Sequence, residues 1–216
     1  MMTTRKWMVS PCQTCMYVVS DETGEAVIID CAAYHRNERK RLLDYFATEN
    51  LHPVRLLLTH AHHDHLYGND LVLDNYGLLP EVHISDKELM TVQLEERIKM
   101  LFKNYLYQIP MPQNYLTDAD VICFGHHKLQ VIHTPGHTPG SVFFYCEEEG
   151  VAFSGDTLFY RNIGRSDLYG GSKEALYASL KKITTLLPDD TVIYPGHTKK
   201  TTIGFEKVNN PYIVDL

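Results

Sequence analysis

No stretch of the 216 residues is apolar for the about 18 consecutive positions that a membrane-spanning helix requires, so a protein anchored by such helices is excluded. Low-complexity runs are missing, and charged residues make up only 22% of the chain, which excludes a globally disordered polymer. Basic residues are in deficit: 20 Lys and Arg face 27 Asp and Glu, for a formal net charge of -7. A broad attractive field for nucleic acid is therefore not expected. The densest basic stretch, Arg36 to Arg41, contains Glu38, falls in a helical pattern and reads as a solvated helix face. Cysteine is scarce and odd in number, at five. The opening residues are interrupted by Ser10, Pro11, Gln13 and Thr14 and do not read as a secretory signal. Free thiols and a cytoplasmic location are the expectation. Cys12 and Cys15 have CxxC spacing, but no second pair follows and an apolar strand begins there, so a structural role is expected.

What is present is enough apolar material, 44%, to bury one substantial core, and one domain over residues 1–216 is expected. Met16–Val19 and Val27–Asp30, either side of a turn-like Asp21-Glu-Thr-Gly24, read as a hairpin. A charged helix follows from Asn37 to about Glu49, with Pro53 expected to close it. Val54–Leu58 is a strand. A helix ending near Gly77 and a strand over Glu81–Ser85 come next, then a long helical candidate over 86–107, broken by Pro110 and Pro112. Strands are read at Val121–Phe124, Leu129–His133, Ser141–Cys146 and Val151–Ser154. Ser172 caps a helix whose Leu176, Leu180, Ile183 and Leu187 form one apolar face. A last strand, Thr191–Tyr194, precedes Pro195-Gly-His197. Alternating elements of this kind define an α/β fold.

The chemistry lies directly after the strand Val54–Leu58. His60, His62, Asp64 and His65 fall within six residues, around His63. Four such groups cannot all face one way on a regular helix or strand, but a tight turn after a strand can aim them inward. Imidazole and carboxylate together suit zinc, and also iron or manganese. Three more candidates stand at later strand ends, each preceded by glycine: His137, Asp156 and His197. A glycine there lets the chain approach a crowded site.

Thr59-His-Ala-His-His-Asp-His65, followed by His137, Asp156 and His197, resembles the metallo-β-lactamase superfamily, with Asp30 at the position of that family's early aspartate. The likeness covers nearly the whole chain. Phe153-Ser-Gly-Asp-Thr-Leu-Phe159, Ile163-Gly-Arg-Ser-Asp-Leu168, Pro195-Gly-His-Thr198, Thr201-Thr-Ile-Gly204 and Asn210-Pro211 are similar to the short form of glyoxalase II, a hydroxyacylglutathione hydrolase. The resemblance implies an αββα sandwich of two mixed sheets flanked by helices, with two divalent metals at one edge, zinc first. His60, His62 and His137 would hold one metal. Asp64, His65 and His197 would hold the other, with Asp156 bridging. His63, His126, His127 and His133 lie outside the motif. Asp30 would stand behind the ligands and orient them. Arg165 would face the thiol carrier of a small-molecule substrate, or pair with Asp167 instead.

The implied reaction is hydrolysis of an S-2-hydroxyacyl thioester, of the S-lactoylglutathione kind, by a hydroxide shared between the metals and oriented by Asp64. The long form has a further C-terminal helical region for glutathione, for which the stretch after His197 is too short, and an acidic residue where Thr198 stands. An altered or broader thiol pocket is therefore expected, with the 86–107 helix a candidate wall but more simply a packing element. Two alternatives remain open: an iron persulfide dioxygenase with one metal, and a non-catalytic metal-binding protein. A secreted β-lactamase, a diiron oxygen reductase and a nucleic-acid processing enzyme fit the sequence less well. No nucleic-acid or membrane partner is expected, and the oligomeric state is not read.

Overall fold

A computed structural model of the chain describes residues 1–100 and 108–214, with backbone alone at 96–100. Its first half forms β1 (Thr3–Val9), β2 (Thr14–Ser20), β3 (Glu25–Ile29), α1 (Arg36–Thr48), β4 (His52–Leu57), α2 (Asn69–Tyr76), β5 (Pro80–His83), α3 (Lys87–Met100) and β6 (Tyr115–Leu116). The six strands make one mixed sheet in sequence order. The second half forms β7 (Val121–Phe124), β8 (His127–His133), β9 (Val142–Cys146), β10 (Val151–Gly155), the small pair β11 (Leu158–Phe159) and β12 (Asn162–Ile163), α4 (Lys173–Leu186), β13 (Val192–Pro195), β14 (Thr201–Thr202) and α5 (Ile203–Asn209). Its main sheet runs β14-β13-β10-β9-β8-β7 and is also mixed.

Strand periodicity explains the layering. Alternate residues of a strand face opposite sides. On β2, Cys15, Tyr17 and Val19 face inward, and on β9, Val142, Phe144 and Cys146 do the same; with Val27, Ile29 and Phe153 they form the core between the sheets. The intervening residues face the helices. Met16, Val18, Ala26 and Ile28 meet Leu42 and Phe46 of α1 and Leu71 and Val72 of α2. Phe143, Tyr145 and Ala152 meet Leu176, Leu180 and Ile183 of α4. Both faces of each sheet are covered, which is why these strands read as continuous apolar runs. The result is the expected αββα sandwich.

The hairpin of β2 and β3 is antiparallel, with Val19 opposite Val27. The Ser172 hydroxyl caps α4 by accepting from the Ala175 amide at 3.2 Å. Gly77 ends α2 in the left-handed conformation. Several boundaries differ from expectation. Asn50, with φ 52°, lies just past the end of α1, and Pro53 instead lies inside β4, opposite Ala26. The strand at Glu81 stops at His83, where a 3-10 turn over Ile84–Asp86 leads into α3. The helical candidate 86–107 is realised as Lys87–Met100; its remainder, 101–107, lies outside the described residues. Arg39 departs from the solvated-face reading: it is turned inward, 2.8 Å from Asp70 of α2. β1 and α5 were not anticipated. β1 is an edge strand of mixed polarity, and α5 is two turns long. Among the described residues no helix is long and apolar enough to cross a membrane.

Candidate metal centre

The end of the sandwich where β4, β10 and β13 finish is set by register. Parallel pairing of β3 with β4 sets Ile29 opposite Leu57, so Asp30 emerges beside Thr59 and the histidine cluster. Parallel pairing of β10 with β13 sets Gly155 opposite Pro195, so Asp156 and His197 emerge side by side. The β8–β9 connection delivers His137. These seven histidines and aspartates, far apart in sequence, come together there.

The compact cluster splits because the backbone changes conformation within it. His62 is extended, with ψ 145°, and His63–His65 then form a single 3-10 turn. His60 and His62, two apart, therefore share one side, while Asp64 and His65 swing to another. His63 is left exposed, edge-on to Tyr67. Ligand atoms of His60, His62 and His137 lie within 4.8 Å of one another, as do those of Asp64, His65 and His197, and those of His60, His65 and Asp156. Asp156 stands between the first two groups. Its Oδ1 is 3.6 Å from His65 Nε2, and its Oδ2 is 3.6 Å from His137 Nε2 and 3.4 Å from His197 Nε2. Asp64 Oδ2 is 3.5 Å from His65 Nε2 and 3.4 Å from His197 Nε2.

These spacings suit a cation. Nitrogen and oxygen ligands about 2.1 Å from a tetrahedral ion lie about 3.4 Å from each other. His62 Nδ1 and His137 Nε2 are closer, at a hydrogen-bonding 2.8 Å. His60 Nε2, His65 Nε2 and Asp156 Oδ1 are buried with no hydrogen-bond partner. Such atoms are costly unless something satisfies them, and bound divalent ions would satisfy them. The donor set of imidazole and carboxylate is also right for zinc, iron or manganese.

Protonation divides along the same line. Burial and the neighbouring rings of His65 and His137 hold His60 well below the usual imidazole range. Burial and His137 take His62 down to about 3. Both are neutral, the form that binds metal. In His65 burial opposes the cation, but Asp64, Asp30 and Asp156 outweigh it and raise the pKa to about 9. In His197 burial is outweighed by hydrogen bonds to Asp156 and Asp64, and the pKa rises to about 11. Despite burial, the histidines hold both Asp64 and Asp156 below the usual carboxylate range.

The surrounding contacts fix these groups. Asp30, with φ 54°, accepts from the Thr59 amide at 2.8 Å and the Thr59 hydroxyl at 2.7 Å, and its Oδ2 lies 3.0 Å from His65 Nδ1. It stands behind His65. Gly196 packs so close to Asp156 that a Cβ there would overlap the Asp156 carboxylate. Gly136 does not serve the centre in this way: it meets the backbone of Leu176 on α4. Arg165 is exposed and paired with Asp167 through two 2.7 Å hydrogen bonds. Its side chain lines an open cavity of about 440 Å³ together with Gly164, Asp167, Lys173, Tyr177 and Tyr212. All five cysteines are free; Cys15 is buried in β2 and Cys12 is exposed.

Three contacts were not legible in sequence. The Thr14 hydroxyl donates to Asp64 Oδ2 at 2.7 Å. The main-chain oxygen of Arg165 is 2.7 Å from His137 Nδ1, so the backbone of this residue orients a candidate ligand. Asp86, fully buried, reaches the loops on either side of the centre.

A two-sheet sandwich with such a cluster at one edge is the architecture of the metallo-hydrolase superfamily. The profile of the metallo-beta-lactamase superfamily matches residues 9–197, and the chain belongs to that superfamily, whose members are generally hydrolytic enzymes. It is 38% identical to an uncharacterised protein of Mycobacterium leprae over 206 residues, 93% of each chain. It is 34% identical to the hydroxyacylglutathione hydrolase GloC of Haemophilus influenzae over 214 residues, 93% of this chain and 92% of that one. Among solved structures it is similar to the B3 metallo-beta-lactamase BLEG-1 (TM-score 0.85, 34% identity, 98% and 99% coverage) and to TTHA1623 in a di-iron-bound form (0.83, 35%, 96% and 99%). ETHE1 from Myxococcus xanthus is more distant (0.78, 27%, 99% and 85%).

Proposed function

We propose that the protein hydrolyses the thioester of an S-2-hydroxyacyl thiol at a centre of two divalent metals. One observation carries the reading: the His60, His62, His137 group and the Asp64, His65, His197 group are each present, and Asp156 lies against members of both. On this reading His60, His62 and His137 would hold the first metal and Asp64, His65 and His197 the second, with Asp156 available to both. A pair of divalent ions held there would supply water activation near neutral pH and Lewis-acid polarisation of an acyl carbonyl.

The chain's own residues orient and exclude. Thr14 occupies one side of Asp64 Oδ2, which fixes the carboxylate as the acceptor that aligns the attacking water. His197 leaves the centre partly open, its side chain 26% exposed, and the acyl group enters there. The thiol carrier lies along the cavity of Arg165, Lys173 and Tyr177. A thiolate departs without a strong general acid, so none is required. The likeness to GloC supports this substrate class.

The likeness to ETHE1 favours a second reading, persulfide oxidation at a single iron. Protein purified without added metal and assayed with S-lactoylglutathione, a thiol persulfide under oxygen, and a chromogenic β-lactam separates these. Thioester turnover is the expected result. Oxygen uptake with the persulfide alone, or β-lactam cleavage alone, contradicts the proposal.

A further inference from the structure

Asp86 sits at the end of the 3-10 turn before α3, with no exposed surface. A buried carboxylate is costly unless donors converge on it. Here three do, and all come from the candidate ligand loops. Its Oδ2 accepts from the Ala61 amide at 2.9 Å, and Ala61 is the residue between His60 and His62. The same oxygen accepts from the Thr138 hydroxyl at 2.9 Å, and Thr138 follows His137. Its Oδ1 accepts from the Gly140 amide at 2.6 Å. Gly140 is shaped for this approach: a Cβ there would come within 2.6 Å of the Asp86 carboxyl carbon. The two segments also meet directly, through His62 Nδ1 and His137 Nε2 at 2.8 Å.

We propose that Asp86 is the positioning residue of the first metal group, joining the His60–His62 segment to the His137 loop so that three imidazoles present one preformed face. It never touches the metal. It acts through the Ala61 and Gly140 amides and the Thr138 hydroxyl, as Asp30 acts through Thr59 and the ring of His65 on the other side. The proposal rests on the reading that His60, His62 and His137 share one metal. A group that orients ligands in this way typically contributes about 10- to 100-fold in metal affinity.

The test is cobalt binding by chelator competition, followed by absorption, on the full chain. The wild type should hold two cobalt ions. Asp86→Asn, which keeps the shape but replaces one acceptor oxygen with a donor, should weaken one of the two by about 10- to 100-fold. In a His197→Ala background, where the first site remains, Asp86→Asn should still weaken the remaining ion. In a His137→Ala background it should add little, because the site it serves is already broken. Gly140→Ala, which crowds Asp86 without removing it, should repeat the loss in milder form and guards against a misfolded Asp86 variant. Equal weakening of both ions, or a lower Tm with unchanged cobalt affinity, overturns the proposal. A wild type that binds fewer than two ions overturns the two-metal reading instead.

Discussion

Thr14 and Asp64 are joined by a 2.7 Å hydrogen bond from the Thr14 hydroxyl to Asp64 Oδ2, the same oxygen that faces His65 and His197. Thr14 is fully buried at the start of β2. The bond ties the start of β2 to the centre and restrains the Asp64 carboxylate. Thr14→Val keeps the shape and removes the donor. A hydrogen bond to a charged group contributes about 1.5–3 kcal/mol, so kcat for the thioester should fall about 10- to 100-fold, with KM little changed. Thr14→Ser should restore most of it. Steady-state kinetics on the three proteins decide this, and a valine variant with wild-type kcat would sink it.

Arg165 makes two separable contributions. Its carbonyl orients His137, and its guanidinium lines the cavity while paired with Asp167. Arg165→Ala keeps the carbonyl and removes the guanidinium. KM for a glutathione thioester should rise, on the order of tenfold, while metal content stays at the wild-type level. Elemental analysis beside a Michaelis curve checks both halves. Metal loss in this variant would show that the side chain also supports the centre.

Much of the centre was legible because its chemistry is local. His60 to His65 are adjacent, and His137, Asp156 and His197 each follow a readable strand end. The α/β class was legible for a similar reason: Leu176, Leu180, Ile183 and Leu187 mark an apolar face without reference to anything distant, whereas the two-sheet sandwich was implied by the family resemblance. Thr14 and Asp86 carried no such signal. Each is one polar residue among many until folding sets it against a loop far away in sequence. β1 escaped because Thr3–Val9 is a partly exposed edge strand, and Arg39 escaped because its partner Asp70 lies on another helix.

His83 provides a test by acid. Its ring stacks on His133 at 4.0 Å and is nearly buried, and burial followed by the neighbouring His133 lowers its pKa to about 4. A histidine so depressed binds its proton more readily when unfolded. The folded state therefore loses stability as pH falls from about 6.5 toward 4, and has regained it above 6.5. Asp118 and Asp120 oppose this shift and Asp118 also binds Lys182, so they titrate near the same element. Removing His83 by His83→Gln should flatten the dependence of stability on pH in that window, by at most about 1.4 kcal/mol per pH unit. Urea unfolding at stepped pH measures the slope. An unchanged slope would mean that His83 takes up its proton alike in the folded and unfolded states and contributes nothing to the pH dependence.

Metal stoichiometry, taken together with turnover, tests the central claim most directly. Protein purified without added metal is analysed for zinc, iron and manganese, stripped with a chelator, and reloaded while S-lactoylglutathione hydrolysis is followed. The account predicts close to two divalent ions per chain, loss of hydrolysis on stripping, and its return as the second equivalent is restored. One iron per chain, with full activity at that stoichiometry or with oxygen uptake in place of hydrolysis, would contradict it.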